Sequence, residues 1–190
     1  MSRAGSATRA RVIDSAKERM RRHGVGATSM LDAIADAGAS RGSLYHYFPG
    51  GKAQLIDEAT AAAANEYSAA FAMVTELDAE QAMPLVVEFW RQQIQDSGYE
   101  AGCPVAAAAL AGAEVGSARD IAGEAFSHWA SLIEQVLANS GIPSQRLRPM
   151  ATLVLSAIEG AVLLGLAQKS TEPMELIADE LIELVRAVQA

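Results

Sequence analysis

The sequence predicts an all-α protein, with a three-helix helix-turn-helix domain at its amino end and a larger helical domain behind it. Three observations carry this expectation. The 190 residues include only six prolines, are 51% hydrophobic and contain no long alternating run of β-branched residues, so a packed helical core is within reach. Apolar residues recur at spacings of three and four along most of the chain. Finally, Thr28 to Lys52 reads as a helix, a tight glycine turn and a second short helix.

The elements follow in order. Met1 to Ala7 shows no periodicity and reads as a flexible arm carrying Arg3. A first helix is expected over about residues 8–23, with Val12, Ile13, Ala16 and Met20 inward and Arg9, Arg11, Lys17, Arg19 and Arg22 left for solvent or phosphate. Gly24-Val25-Gly26 ends it.

The helix-turn-helix is expected over about residues 28–48. Thr28 or Ser29 offers an oxygen to the free amides of a helix start, and Met30, Leu31, Ile34 and Ala35 make its apolar face. Gly38 supplies the reversal, and Ser40 is placed to cap the next helix. There Leu44 and Phe48 share one face. At about 100° per residue the other face carries Gly42, Ser43 and His46, with Tyr45 on its flank and Arg41 at its start. A helix with two apolar anchors and an outward row of donors is suited to present that row to a partner. Pro49 stops it, and Gly50-Gly51 lead to Lys52 at the next helix start, where a cation and free amides together suit a phosphate.

The formal net charge is −8, the wrong sign for a nucleic-acid binder until it is divided by position. Residues 1–52 hold nine basic residues against four acids, a balance of +5, and the remainder carries −13. A basic head on an acidic body orients a molecule toward a polyanion.

Beyond Lys52 a long helix through Leu55, Ile56, Ala59, Ala63 and Tyr67 links the two parts. A helix over about 79–95 puts Met83, Val87, Trp90 and Ile94 on one face. Pro104 opens an Ala-rich helix to about Ala113, and a further helix over about 118–139 presents Phe126, Trp129, Ile133 and Val136. Phe71, Phe89, Trp90, Phe126 and Trp129 fall in this middle region beside small residues, and with Cys103 they are the candidates for lining an apolar pocket. The competing reading is that they fill a core. Cys103, the single cysteine, excludes an intrachain disulfide and reads as a packed thiol.

The last two helices carry a second partner signal. From Met150 to Ala167 Glu159 is the one charged residue, so the run is nearly long enough to span a bilayer, yet Glu159, Thr152, Ser156 and the small residues argue for helix packing. Leu153, Ala157, Gly160, Ala161 and Leu164 on this helix are candidates for a dimer interface. Ile177, Leu181 and Leu184 on the final helix join them, in a four-helix bundle about a two-fold axis.

The string AGASRGSLYHYF, with the upstream AxxRMRRHGVGATS and the downstream GKAQL, closely resembles the amino-terminal DNA-binding domain of the TetR/AcrR family of transcriptional regulators, over about residues 8–58. The FPGGK junction and the later GCPVAAAAL and IEGAVLLGLAQKSTEP resemble its LmrA/YxaF-type branch. Ala39 departs from the pattern, where the family usually has a larger apolar residue.

The resemblance implies a helix-turn-helix domain over residues 1–52 and an effector-binding and dimerisation domain over 53–190. It further implies base contacts from Arg41, Gly42, Ser43, Tyr45 and His46, and phosphate contacts from Thr28, Tyr47 and Lys52. A homodimer would span half-sites roughly 34 Å apart on a palindromic double-stranded DNA operator, released by a small apolar or amphipathic effector. No cofactor or metal is expected. The rival reading is a non-specific architectural DNA-binding protein. An enzyme finds no support: His23, His46 and His128 are scattered, Glu124 and His128 lack the second histidine of a metal motif, and no Gly-rich phosphate loop occurs. The polar, basic first twenty residues have no apolar signal core, which predicts a cytoplasmic protein.

Overall fold

A computed structural model describes residues 3–112 and 116–189, with the side chains of residues 3 and 4 outside that description. The fold is all-α, as the sequence predicts, with no strand among the described residues. In chain order the helices are α1 (Arg3–Ala27), α2 (Met30–Asp36), α3 (Leu44–Tyr47, entered through a 3-10 turn at Arg41–Ser43), α4 (Gly51–Ala72), α5 (Ala79–Asp96), α6 (Pro104–Ala109), α7 (Ala118–Asn139), α8 (Ser144–Gln168) and α9 (Glu172–Gln189). They form two compact units, one of residues 1–66 and 103–124, the other of 67–102 and 125–190.

In the first unit, α1 begins five residues earlier than the expected start at residue 8. Ala4, Gly5, Ser6 and Ala7 include no proline, and once a nucleus exists each added residue closes one more backbone hydrogen bond, which offsets the ~1 kcal/mol that a glycine such as Gly5 costs. The expected arm therefore fails from residue 3 onward; at Met1, Ser2 and the Arg3 side chain it falls outside the described residues. At its other end α1 kinks at Gly24, with φ 75° and ψ 168°, values open to glycine. Val12, Ala16 and Met20 are fully buried, and α2 and α6 pack on this helix.

The α2 stripe also differs from expectation. Ala33, Ile34 and Ala37 are buried, while Leu31 is 47% exposed and Ala35 is exposed. A short helix crossing α1 meets it along a line one residue away from the expected stripe. Ser29 caps α2, accepting from the Asp32 amide. The turn then closes through Gly38 N–H to Ala35 O and Ala39 N–H to Ile34 O, each 3.0 Å, with Gly38 at φ 66°. Ser40 makes no cap; its hydroxyl lies 2.8 Å from that of Ser43. The Ala-rich α6 stops at Ala109, and the remainder of its expected span ends on Ala113, outside the described residues.

In the second unit, α5, α8 and α9 pack together with the later turns of α7. Asp78 and Gln81 form a capping box at the start of α5, and the buried Ser140 hydroxyl accepts from the Ala79 amide at 2.8 Å. Ala79, Leu137, Ile142, Met150, Ala151 and Val185 form one core cluster, and Met83, Val154, Ala178 and Leu181 another. Among the described residues, α8 is long and apolar enough to cross a membrane by length and composition, and 33% of its most apolar window is buried.

Candidate nucleic-acid interface and apolar cavity

The first unit holds the short α3 by two anchors. Leu44 is 4% exposed and Phe48 is completely buried. With those side chains inward, the rest of the segment must face out: Arg41, Gly42 and His46 are exposed, Tyr45 is 70% exposed, and Ser43 and Tyr47 are half-buried. Gly42 does not have positive φ, and a Cβ built on it would meet nothing within 4 Å. Neither backbone conformation nor internal packing therefore requires glycine there.

The cations of this unit divide into two groups. Arg19 bridges Asp32 and Asp36, Arg21 and Arg22 pair with Glu18, Lys17 pairs with Asp14 and Glu66, and Arg9 pairs with Glu58. Arg11 donates from Nε to the Ala37 carbonyl at 3.2 Å. Of the side chains expected to face solvent or phosphate, Arg9 and Lys17 instead tie α1 to α4, Arg11 ties it to the turn and Arg19 to α2, while Arg22, like Arg21, pairs within α1. Glu58, Glu66, Asp32 and Asp36, on neighbouring helices and invisible as partners in a linear reading, collect Arg9, Lys17 and Arg19. Arg41, by contrast, makes no ion pair among the described residues.

The expected phosphate-facing residues behave differently from one another. Thr28 is 1% exposed, and its hydroxyl donates to the Gly24 carbonyl at 2.9 Å. Its role here is to fasten the corner after the α1 kink, which corrects the expectation of a phosphate contact. Lys52 donates to the Gly26 carbonyl at 2.9 Å, at the rim of a surface groove shared with Ser29, Leu31, Arg41 and Tyr45. The Tyr47 ring meets that of His46 edge-on at 5.5 Å.

The second unit contains an apolar cavity of about 70 Å³ between α5, α7, α8 and α9. Phe71, Trp90 and Trp129 of the expected pocket residues line it, joined by Val86, Leu132 and Leu155, which composition did not single out. Phe89 belongs to the adjoining aromatic cluster, 5.4 Å from both Tyr67 and Trp90, and is not among the lining residues. Phe126 instead lines a surface groove between α7 and α8. Cys103 is in the first unit, where Sγ accepts from the Ala106 amide and caps α6.

Of the expected interface residues, Leu153 and Leu164 are 48% and 49% exposed; Ala157, Gly160, Ile177 and Leu184 are half-buried; Ala161 and Leu181 lie inside the subunit. Leu163 and Leu176 are also exposed, 68% and 59%.

Residues 12–59 match the family model of bacterial regulatory proteins of the tetR family, and residues 79–180 match that of the transcriptional regulator LmrA/YxaF-like C-terminal domain. An HTH-type transcriptional regulator of Mycobacterium tuberculosis is 34% identical over 189 residues, covering 94% of each chain. The chain belongs to the TetR family of transcriptional regulators. As in that family, its helix-turn-helix is a DNA-binding element, and the chain is a DNA-binding transcriptional regulator. The HTH-type transcriptional regulator LmrA of Bacillus subtilis is 29% identical over 182 residues, covering 94% of this chain and 97% of LmrA. A TetR regulator from Chloroflexus aurantiacus superposes with a TM-score of 0.79 over 97% of each chain; at 22% identity it shows the TetR fold alone.

Proposed function

We propose that this protein is a repressor that binds a palindromic operator as a homodimer and is released from it by a small apolar or amphipathic molecule. In this reading residues 1–52 read the DNA, residues 53–190 bind the effector and hold the partner copy, and the protein works in the cytoplasm. The observation that carries the proposal is the outward face of the segment from Arg41 to His46: exposed, polar and fixed in place by the buried Leu44 and Phe48. Arg41, Gly42, Ser43, Tyr45 and His46 meet base edges, and Tyr47 and Lys52 meet phosphates. Gly42 supports this, because an unhindered glycine that its own chain does not require permits close approach of a duplex.

Dimerisation follows from the limited reach of one short helix, since two heads are needed to read successive major grooves. The exposed leucines of α8 and α9 supply the face that a second copy covers. The apolar cavity supports effector binding in the second unit.

Binding isotherms on operator variants at two salt concentrations test the reading. Arg41→Ala is expected to relax preference at one base pair, with ~1–3 kcal/mol of discrimination lost there. Lys52→Ala is expected to weaken all variants alike and flatten the salt dependence. Equal losses on every variant for Arg41→Ala would remove its base-reading role.

A further inference from the structure

Leu31 is the large apolar side chain that α2 keeps out of the core. Ala33, Ile34 and Ala37 turn inward, while Leu31, the second residue of the helix, is 47% exposed. A lone exposed leucine is ordinary. This one is set apart by its surroundings. Within residues 28–48 the exposed large apolar side chains are Leu31 and Tyr45, and both line the same surface groove, together with Arg41 and Lys52.

The two cations keep donors for a partner. Arg41 makes no ion pair among the described residues. Lys52 uses one of its ammonium hydrogens on the Gly26 carbonyl, which leaves two. Cations beside apolar groups complement the major groove of a duplex, because phosphates border it and the thymine 5-methyl is the apolar feature of its base edges. A leucine has neither donor nor acceptor, so it gains nothing from a phosphate or a polar base edge. Packed against a methyl group, it removes apolar surface from water on both sides.

We propose that Leu31 reads a thymine by packing against its 5-methyl group, so that α2 sets one position of the operator beside those read from α3. This rests on the proposal that the outward face of α3 meets base edges, and it extends base reading to a residue of the preceding helix.

The test takes the full-length protein and the tightest-binding duplex it selects from a random pool. Each thymine of one half-site is replaced in turn by deoxyuridine, which removes the methyl group and keeps the base pair. At one thymine the replacement is expected to weaken wild-type binding about fourfold, ~0.8 kcal/mol, the worth of burying one methyl-sized group. Leu31→Ala is expected to unfold at the wild-type temperature, because the side chain is half exposed, and to bind the thymine and uracil duplexes equally. Wild-type binding that ignores every thymine methyl overturns the proposal, even if Leu31→Ala weakens all duplexes, since the leucine would then touch sugar and phosphate alone. A selected half-site without thymine overturns it too. So does a uracil penalty that persists in Leu31→Ala, which would assign the methyl group to another side chain. The wild-type comparison needs no variant to fold. Base-pair exchanges at the same positions separate the two readings: exchanges that cost affinity where uracil does not would leave base reading by α3 standing without Leu31. A pool that yields no preferred duplex, or exchanges without cost at every position, would defeat base reading and this proposal together.

Discussion

The Arg9 guanidinium lies over the ring of Phe48, 5.0 Å from its centroid, while its Nε donates to the Tyr47 carbonyl at 3.4 Å. One α1 side chain thus holds both the buried anchor and the carboxyl end of α3, and Glu58 pairs with the same guanidinium. The planar fork makes these contacts at once, which an ammonium cannot do.

Arg9→Lys separates positioning from phosphate binding. If the fork positions α3, the variant loses about 1 kcal/mol of stability, within the range for cation–π and partly exposed ionic contacts. Operator affinity then falls as it does in Arg9→Ala. If Arg9 met only phosphate, the lysine would preserve most of the binding. Urea denaturation and operator titration of both variants distinguish these outcomes.

Gly42→Ala should leave the fold as stable as before or slightly more so, because its Cβ enters open space and the unfolded chain loses freedom. Operator affinity should nevertheless fall. Thermal unfolding paired with a binding titration checks the split, and an alanine variant with wild-type affinity would show that no partner approaches that backbone.

Much of this was legible in the sequence. The turn at Gly38, the anchors Leu44 and Phe48, the bounds of α7 and the family itself follow from spacing and motif, because each depends on residues close together in the chain. What escaped depends on distant partners. Arg9, Arg11 and Arg19 looked like solvent-facing cations because Glu58, the Ala37 carbonyl and Asp36 lie far along the sequence. Thr28 looked like a surface hydroxyl, and the kink at Gly24 that buries it cannot be read from periodicity. Val86, Leu132 and Leu155 line the cavity without the aromatic signal that drew attention elsewhere.

The pairing of Arg19 with Asp36, Nε to Oδ2 at 2.8 Å, carries a pH dependence. The hydrogen bond from Arg19, and then that from Ser15, hold the Asp36 carboxyl below the usual carboxylate range. A depressed carboxyl stabilises above its unfolded value, and that contribution is lost as pH falls through the folded one. Asp36→Asn should therefore cost less than about 1 kcal/mol at neutral pH, since the pair is largely solvated. Its difference from wild type should close on acidification below about pH 4. Denaturation curves across that range decide it; a gap that persists in acid would assign the loss to something other than charge.

Leu153 and Leu164 are three helical turns apart on one face of α8, and each is about half exposed. Replacing both by Glu should yield a folded monomer by sedimentation, with binding to a full palindrome lost. A variant that stays dimeric would move the interface elsewhere.

The central claim, that two outward α3 segments read one duplex, is tested most directly by selecting bound fragments from a random duplex pool with the full-length protein. The expected result is enrichment of an inverted repeat whose half-sites are about 34 Å or more apart, with two protomers per duplex. Retention of fragments without any shared inverted repeat, at an affinity set by salt alone, would contradict it.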